Sequence, residues 1–328
     1  MKPVLKRIFE LILILLILSF FTFLLMYLAP GDAAEKRLSS QGVAITKEVL
    51  DAERERLGLL KPFFVRYGEW LFGVCRGDFG MSFKDDMPVA GKLWSGLSNT
   101  LILAGASMFL SILISLPLAI VSAFKKDKAV DHVIKLFSFI GNSLPNFLIS
   151  VLFMYLFCIK INAFPIIATG SLQGLLLPTL SLAIPISGRF IRQMRQEFLL
   201  QMSEDYVIGM KNRGMKKRYI VKNVLYNSSG HILNIIALQI GTLMGGSVVI
   251  ETIFRWPGIG ELVMDSITAR DYPVIMGFVL IMGVIYVLIN QLVDVAMKRL
   301  DPRIASAGRN GLGSDDFLTS DKKGGAHE

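Results

Sequence analysis

The sequence has 328 residues, of which 53% are hydrophobic, with a mean hydropathy of +0.55 and a formal net charge of +9. Such a composition is too apolar for a soluble domain of this size, and it predicts several membrane spans. The positive charge does not indicate a nucleic-acid partner, because the basic residues are confined to alternate connections between apolar segments.

The first apolar segment, 8–28, follows three basic residues. These are Lys2, Lys6 and Arg7. About twenty apolar residues suffice to cross a bilayer once, and the segment is longer than the apolar region of a signal peptide. We therefore predict a retained first span over residues 1–30, with its amino terminus in the cytosol.

An extracytoplasmic loop with balanced charge is predicted over residues 31–96. Within it, Thr46 is a candidate cap for a helix that reaches Leu57, and Gly58 is a candidate stop. A turn-rich stretch follows at 77–83. The loop is interpreted either as a small external cap or as a plain connector.

Five further spans are predicted within a core of residues 97–303. They cover about 101–124, 133–158, 172–188, 231–253 and 274–297. The third span of the chain, 133–158, is interrupted near Asn142 and Pro145, where a proline frees backbone carbonyls inside the membrane. This interruption is either a packing kink or a lining of the translocation path.

The fifth predicted span carries residues that suit close helix packing. Gln239 is its central amide, and Gly245 and Gly246 allow two helices to approach each other. Such a seam is either simple packing or, in a transporter, a place where two halves move. We expect these three residues to lie on the translocation path or on a helix contact.

The distribution of charge predicts the topology of the whole chain. Basic residues crowd the start, the connection between spans two and three, the connection between spans four and five, and the segment after the last span. Six spans with both termini in the cytosol satisfy the positive-inside rule at every connection. The polar residues 304–328 predict a disordered cytosolic tail.

The connection between spans four and five, 189–230, holds nine basic and three acidic residues. Its charge alone is explained by the positive-inside rule. The loop also carries helix signals: Ser203 is a candidate N-cap, Glu204 and Asp205 occupy a first turn, and Gly214 is a candidate left-handed stop. A second helical piece is predicted from Lys216 to about Asn227.

The sequence offers no pattern for catalysis or for a cofactor. Cys75, Cys158 and three scattered histidines have no metal-ligand spacing, and no phosphate-binding loop is present. The carboxylates Glu251 and Asp294 fall at span ends, whereas ion-coupled carriers keep charged sites near the midplane. A permease moved by a separate ATPase is therefore favoured over an ion-coupled carrier or channel, and over a scaffold that only recruits a cytosolic protein.

The connection 189–230 resembles the coupling loop of binding-protein-dependent ABC importer permeases. Glu204 and Gly214 occupy the two signature positions of that loop, while Asp205 and Tyr206 replace the usual alanines, as in the branch that imports peptides and nickel. Six further motifs occur in the order typical of that branch. They are Ala-Pro-Gly-Asp (29–32), Gly-Asp-Phe-Gly-x-Ser (77–82), Gly-Gly-Ser-Val-Val-Ile-Glu-Thr-Ile-Phe (245–254), Trp-Pro-Gly-Ile-Gly (256–260), Arg-Asp-Tyr-Pro-Val (270–274) and Leu-Asp-Pro-Arg (300–303).

The resemblance implies an all-α membrane protein with the type I ABC importer permease fold, in a bacterial or archaeal inner membrane. It implies four kinds of neighbour: a second homologous permease subunit, two ATPase subunits, an extracytoplasmic substrate-binding protein and the lipid bilayer. The imported substrate would be nickel, a metal chelate or small peptides, with the motifs at 77–80 and 143–147 closer to nickel permeases.

The resemblance also assigns residues to two surfaces. The residues expected to contact an ATPase are Glu204, Asp205, Tyr206, Val207, Arg213 and Gly214. The residues expected in the extracytoplasmic loop near the binding protein are Glu251, Trp256, Pro257 and Gly258. An alternative interpretation of Trp256 is an aromatic anchor at the membrane interface.

Overall fold

The computed structural model describes residues 2–168 and 170–300, with side chains for 9–168, 170–292 and 295. The described part of the chain is a helical bundle, with one isolated bridge between Met81 and Pro88. In chain order the helices are α1 (Lys2–Leu28), α2 (Ala33–Ser40), α3 (Lys47–Arg56), α4 (Phe63–Cys75), α5 (Val89–Phe124), α6 (Ala129–Ser143), α7 (Asn146–Phe153, continued by a π-helix Met154–Lys160), α8 (Leu172–Met202), α9 (Asp205–Asn212), α10 (Lys217–Phe254), α11 (Ile259–Ala269) and α12 (Tyr272–Leu300).

Several expectations fall on residues that the structure does not describe. They concern the tail 304–328, the motif 300–303, and the side chains of Lys2, Lys6, Arg7, Asp294, Lys298, Arg299 and Arg303.

Within the described residues, five helices are long and apolar enough to cross a membrane, and a sixth span results if α6 and α7 are counted as one. These two helices are bent by 96° at Leu144 and Pro145, inside the stretch where the sequence predicts an interruption. Proline disfavours helical backbone in the residue before it, which explains the break. Six candidate spans therefore match the predicted number.

Two long helices extend beyond the predicted apolar spans into the predicted connection 189–230. Helix α8 continues to Met202, and α10 runs without a break from Lys217 to Phe254. The predicted loop 189–230 is therefore mostly helix, and the predicted separate helix from Lys216 to Asn227 is the first part of α10. Only the short helix α9 stands between the two rods.

Helices α5 and α8 form the centre of the bundle. Ser107, Ser111 and Ser115 on α5 are fully buried at a spacing of four residues, which places them on one face. The hydroxyl of Ser111 donates to the carbonyl of Ala183 on α8 at 3.2 Å. Small side chains on this face allow the two helices to pack closely.

The segment between α1 and α5, 31–88, is a compact unit that we call the cap. Thr46 caps α3 and Gly58 follows it with a φ of +68°, as the sequence predicts. The predicted loop also contains two helices that the sequence did not indicate, α2 and α4. The carboxylate of Asp271, before α12, accepts hydrogen bonds from Ser82 and from the backbone N–H of Phe83, which fixes the cap to the bundle.

Candidate coupling and translocation sites

Helix α9 lies at the end of the bundle opposite the cap, between the ends of α8 and α10. Its N-cap residue is Glu204, whose side chain makes no capping hydrogen bond. Ser203 was expected to cap this helix, but its hydroxyl donates to the carbonyl of Leu200 and so closes α8 instead. Gly214 has a φ of +68°, which confirms the predicted left-handed stop after α9.

One side of α9 is anchored in the core of the chain. The side chain of Val207 is 0% exposed and belongs to the cluster that contains Phe198 of α8 and Ile220 of α10. The hydroxyl of Tyr206 donates to Oε1 of Gln201 at 3.0 Å. Val207 is one of the residues expected to contact an ATPase, but within this chain its side chain has no free surface and serves as an anchor of α9.

The other side of α9 is open. Glu204 and Asp205 are exposed at its start, and Arg213 and Gly214 are exposed just after its end. Between them, the apolar side chain of Ile208 is 44% exposed. The open side thus combines acidic, apolar and basic groups along one short helix, which is suited to binding in a groove of another protein.

A buried ion-pair network holds α5, α6 and α8 together near α9. The carboxylate of Asp131 accepts from Nε and Nη2 of Arg195 at 2.9 and 2.8 Å. Lys135 lies 2.8 Å from the same carboxylate, and Ser122 also donates to it. Sequence analysis missed this network, although an acidic residue followed four positions later by a lysine is a recognisable helical pair.

At the cap end, Glu251 connects three helices. Its carboxylate accepts from the Thr100 hydroxyl of α5 at 2.8 Å and from the backbone N–H groups of Gly260 and Glu261 at 2.7 and 3.3 Å. Glu251 is fully buried, so these donors compensate its removal from water. The expected loop residue is therefore the fixed point between α5, α10 and the first turn of α11.

Trp256 is buried beside this fixed point. It is 2% exposed, and its Nε1–H donates to the carbonyl of Asn99 at 3.1 Å. The interpretation of Trp256 as an aromatic anchor at the membrane interface is wrong, because the ring lies inside the protein. Pro257 is exposed and accepts through its carbonyl from Asn99, and Gly258 is packed against the Glu251 carboxylate.

The residues expected on the translocation path lie at the break between α6 and α7 and along α10. A Cβ atom on Gly246 of α10 would lie 3.5 Å from Nδ2 of Asn146, so the start of α7 meets α10 at this glycine. Asn142 is half-buried and Pro145 is exposed at the break. Gln239 is 8% exposed, and its Oε1 has no hydrogen-bond partner among the described residues.

Gly245 is exposed and makes no close helix contact within the described part of the chain. A Cβ atom at this position would meet no atom within 4 Å. The residues that the structure describes contain no cluster of three or more histidine, cysteine, aspartate or glutamate side chains arranged to hold a metal ion.

Two family models match the chain one after the other. The model described as "Binding-prot-dependent transport system membrane comp, N-term" matches residues 1–104. The model described as "Binding-protein-dependent transport system inner membrane component" matches residues 115–306, which is more than half of the chain. The chain belongs to this family of transport permeases.

Curated relatives resemble the permease over nearly its whole length. The metal-staphylopine import system permease protein CntB of Staphylococcus aureus (strain NCTC 8325 / PS 47) is 32% identical over 94% of this chain and 99% of its own. The nickel import system permease protein NikB of Staphylococcus aureus (strain bovine RF122 / ET3-1) is 34% identical over 92% of this chain and 91% of its own.

Solved structures confirm the fold of the permease. The inward-facing MetNI methionine ABC transporter has a chain that matches with a TM-score of 0.53 and 18% identity, over 64% of this chain and 96% of that one. An amino acid ABC transporter with histidines matches with a TM-score of 0.51 and 15% identity, over 64% and 94%. The predicted type I ABC importer permease fold is therefore confirmed.

These comparisons decide between the functional classes that the sequence left open. The permease is a multi-pass membrane subunit of an ABC importer, and its family is not itself a family of enzymes. The ion-coupled carrier, the channel and the passive scaffold are thereby set aside. An importer of this kind works with ATPase and substrate-binding subunits.

Proposed function

We propose that this permease forms part of the path for nickel or for a metal chelate, with small peptides as the second candidate. The support is the identity of 32–34% to permeases named for metal-staphylopine and nickel import, over more than nine-tenths of the chain. The motifs at 77–80 and 143–147, which resemble those of nickel permeases, favour the same substrate.

We propose that the working importer contains one copy of this chain, a second homologous permease, two ATPase subunits and an extracytoplasmic binding protein. Both termini and helix α9 would face the cytosol, and the cap would face the binding protein. The basic connection between α5 and α6 and the basic residues around α9 support this orientation.

The observation that carries the proposal is the unequal exposure of the two sides of α9, of which one is buried and the other is open. Val207 fixes one side of this helix to α8 and α10, while Glu204, Asp205 and Ile208 leave the other side free. A push on the free side is therefore passed to α8 and α10, two of the long helices of the core. Closure of an ATPase dimer on ATP would favour one arrangement of the spans in this way.

The coupling role is tested with Glu204→Lys and Gly214→Pro in the assembled importer in proteoliposomes. Lysine reverses the charge at the start of α9, and proline cannot adopt the positive φ of residue 214. We expect uptake to fall by more than about tenfold while ATP hydrolysis loses its stimulation by the loaded binding protein. Both variants should still reach the membrane.

Lys126→Glu, a charge reversal at an exposed position of the connection between α5 and α6, is the matched control and should keep uptake. Unchanged stimulation of ATP hydrolysis in both α9 variants would overturn the coupling role of this helix.

The substrate is tested separately, through the binding protein that delivers it. We expect this protein to bind nickel or a nickel chelate more tightly than di- or oligopeptides in calorimetric titrations. We also expect nickel uptake by cells to fall when the gene for this permease is deleted. Undiminished nickel uptake in the deletion strain would reject nickel and leave the coupling proposal untouched.

A further inference from the structure

A cavity of about 480 Å³ lies where the cap meets the end of α1. Its wall is formed by the last turns of α1, the start of α2, the end of α3, the connection between α3 and α4, the first turn of α4 and the start of α12. Phe23, Tyr27, Leu60 and Tyr272 give this wall an aromatic and apolar character. The cavity shares no residue with the coupling helix or with the Glu251 site.

The cavity contains a cation without a counter-ion. Arg66 of α4 is half-buried, its guanidinium lies 5.6 Å from the ring centroid of Phe23, and it has no ion pair among the described residues. Burial lowers the pKa of Arg66, against weaker opposing effects of Tyr272 and Tyr27. An uncompensated guanidinium in a partly apolar pocket is costly, and an anionic ligand would offset that cost.

The neighbouring arginines of the cap differ from Arg66 in this respect. Arg37, Arg54 and Arg56 each hold at least one carboxylate. Two acids also line the cavity: Asp32 is bonded to Nε of Arg54 at 2.7 Å, and Glu35 is exposed and makes no ion pair with Arg66. Of the two arginines that line the cavity, Arg54 is paired with Asp32, whereas Arg66 has no ion pair among the described residues.

A second guanidinium lies beside the same wall. Gly31 has a φ of +104°, and a Cβ atom there would collide with the guanidinium of Arg270. Arg270 also has no ion pair in the part of the chain that the structure describes. Arg270 does not line the cavity itself, but it lies against Gly31, which does, so a phosphate group in the cavity would have two arginines without counter-ions beside it.

The position of the cavity selects the source of the phosphate. The cavity opens at the end of α1, whose apolar part, Phe9–Leu28, is long enough to span a bilayer and is largely exposed. Tyr27, which lines the cavity near the end of this segment, is itself 54% exposed. A ligand with a phosphate at the membrane interface and an apolar chain below it would cover both features.

We propose that this cavity binds one membrane phospholipid, whose phosphate pairs with Arg66 and Arg270 and whose acyl chain lies on the exposed surface of α1. In the topology proposed above the lipid belongs to the outer leaflet, but the binding chemistry does not depend on that assignment. The bound lipid would join α1, the cap and the start of α12.

The experiment uses the assembled importer in nanodiscs that contain phosphatidylglycerol with a photoreactive group near its headgroup. After irradiation, labelled peptides are identified by mass spectrometry. We expect label in the peptides that hold the end of α1 and the start of α4, reduced about tenfold by Arg66→Gln, because a charge-assisted hydrogen bond to phosphate is lost. Arg76→Gln is the matched control. Arg76 caps the other end of the same helix, and its guanidinium lies on the exposed ring of Phe72.

A second variant keeps the test valid if Arg66→Gln fails to assemble. Leu60→Trp places a large side chain into the cavity from an exposed position and should also abolish the label at these two peptides. Equal labelling in the wild type and in Arg66→Gln would overturn the proposal. Loss of the wild-type label in excess inorganic phosphate would also overturn it, by making a free anion the occupant.

Discussion

Glu251 shows how a single buried side chain can organise the end of a bundle. Its two carboxylate oxygens take three donors, from Thr100, Gly260 and Glu261, and thereby join α5, α10 and α11. The same carboxylate leaves no room for side chains at Gly258 and Gly260, where a Cβ atom would collide with it. The carboxylate of Glu251 thus requires the two glycines of the sequence Trp-Pro-Gly-Ile-Gly that follows it.

We predict that Glu251→Ala destabilises the purified chain by about 3 kcal/mol, because each buried donor left without a partner costs about 1–3 kcal/mol. Thermal unfolding in detergent measures this change. The control is Glu261→Ala, which removes a partly exposed pair with Arg255 at 3.1 Å and should cost less than about 1 kcal/mol. Equal shifts in the two variants would contradict the role of Glu251.

At the scale of residues, the sequence located functional positions better than it predicted which of their side chains are buried. Gly214 could be assigned because a left-handed stop needs a glycine, which is a local property. Val207 and Trp256 could not, because the side of a helix or turn that is covered depends on neighbours far away in the chain. Phe198, Ile220 and Asn99 provide these neighbours, and nothing in the local pattern names them.

The contact of α6 with α8 depends on one close approach of two backbones. A Cβ atom on Gly188 would lie 2.7 Å from the carbonyl oxygen of Ser138 and 3.0 Å from the amide nitrogen of Asn142. The Ser138 hydroxyl also donates to the carbonyl of Gly188. The last turns of α6, just before its break, are thus held directly against α8.

We predict that Gly188→Ala destabilises the purified chain by about 1–3 kcal/mol, because the added methyl group meets backbone that cannot yield easily. The matched control is Gly245→Ala in α10, where the methyl group has open space and alanine favours helix by up to about 1 kcal/mol. Thermal unfolding of both variants checks the difference. A stable Gly188→Ala variant would show that the two helices do not approach this closely.

At the scale of elements, the apolar segments located the spans and the proline located the break, but the helix ends were misplaced. The polar run 226–231 looks like the end of a loop, yet α10 passes through it. Ile220 and Val224 are buried on the first turns of α10, and their burial stabilises the helix there. Burial of this kind outweighs the cost of about 1 kcal/mol for Gly230, and only the tertiary structure reveals it.

Ion pairs and hydrogen bonds help to join the cap to the bundle, and their contribution is sensitive to acid. Lys84 pairs with Asp265 of α11 at 2.6 Å, and Lys92 of α5 pairs with Asp85 at 2.6 Å. The pKa of Asp86 is lowered, chiefly by its hydrogen bond to Arg37. The pKa of Asp85 is also lowered, because burial, which raises it, is outweighed by Lys92, Ser82 and the backbone of Met87.

We predict that the segment 82–88 loosens in acid. A carboxyl whose pKa is lower in the folded state stabilises the fold above its unfolded pKa, about 3.9, and loses this contribution as the pH falls below that value. Hydrogen exchange of this segment, corrected for the intrinsic rate, should accelerate below about pH 4. Asp86→Asn should show faster exchange already at pH 7, and a pH-independent rate in the wild type would contradict the prediction.

Helix α10 connects the two ends of the molecule without a joint. Its 38 residues correspond to a rod about 57 Å long, nearly twice the hydrocarbon thickness of a bilayer. Lys217 at one end follows α9, and Glu251 near the other holds α5 and α11. For such a lever, each degree of tilt displaces the far tip by about 1 Å. A small rotation beside α9 is therefore amplified into ångströms of travel at the opposite face of the membrane.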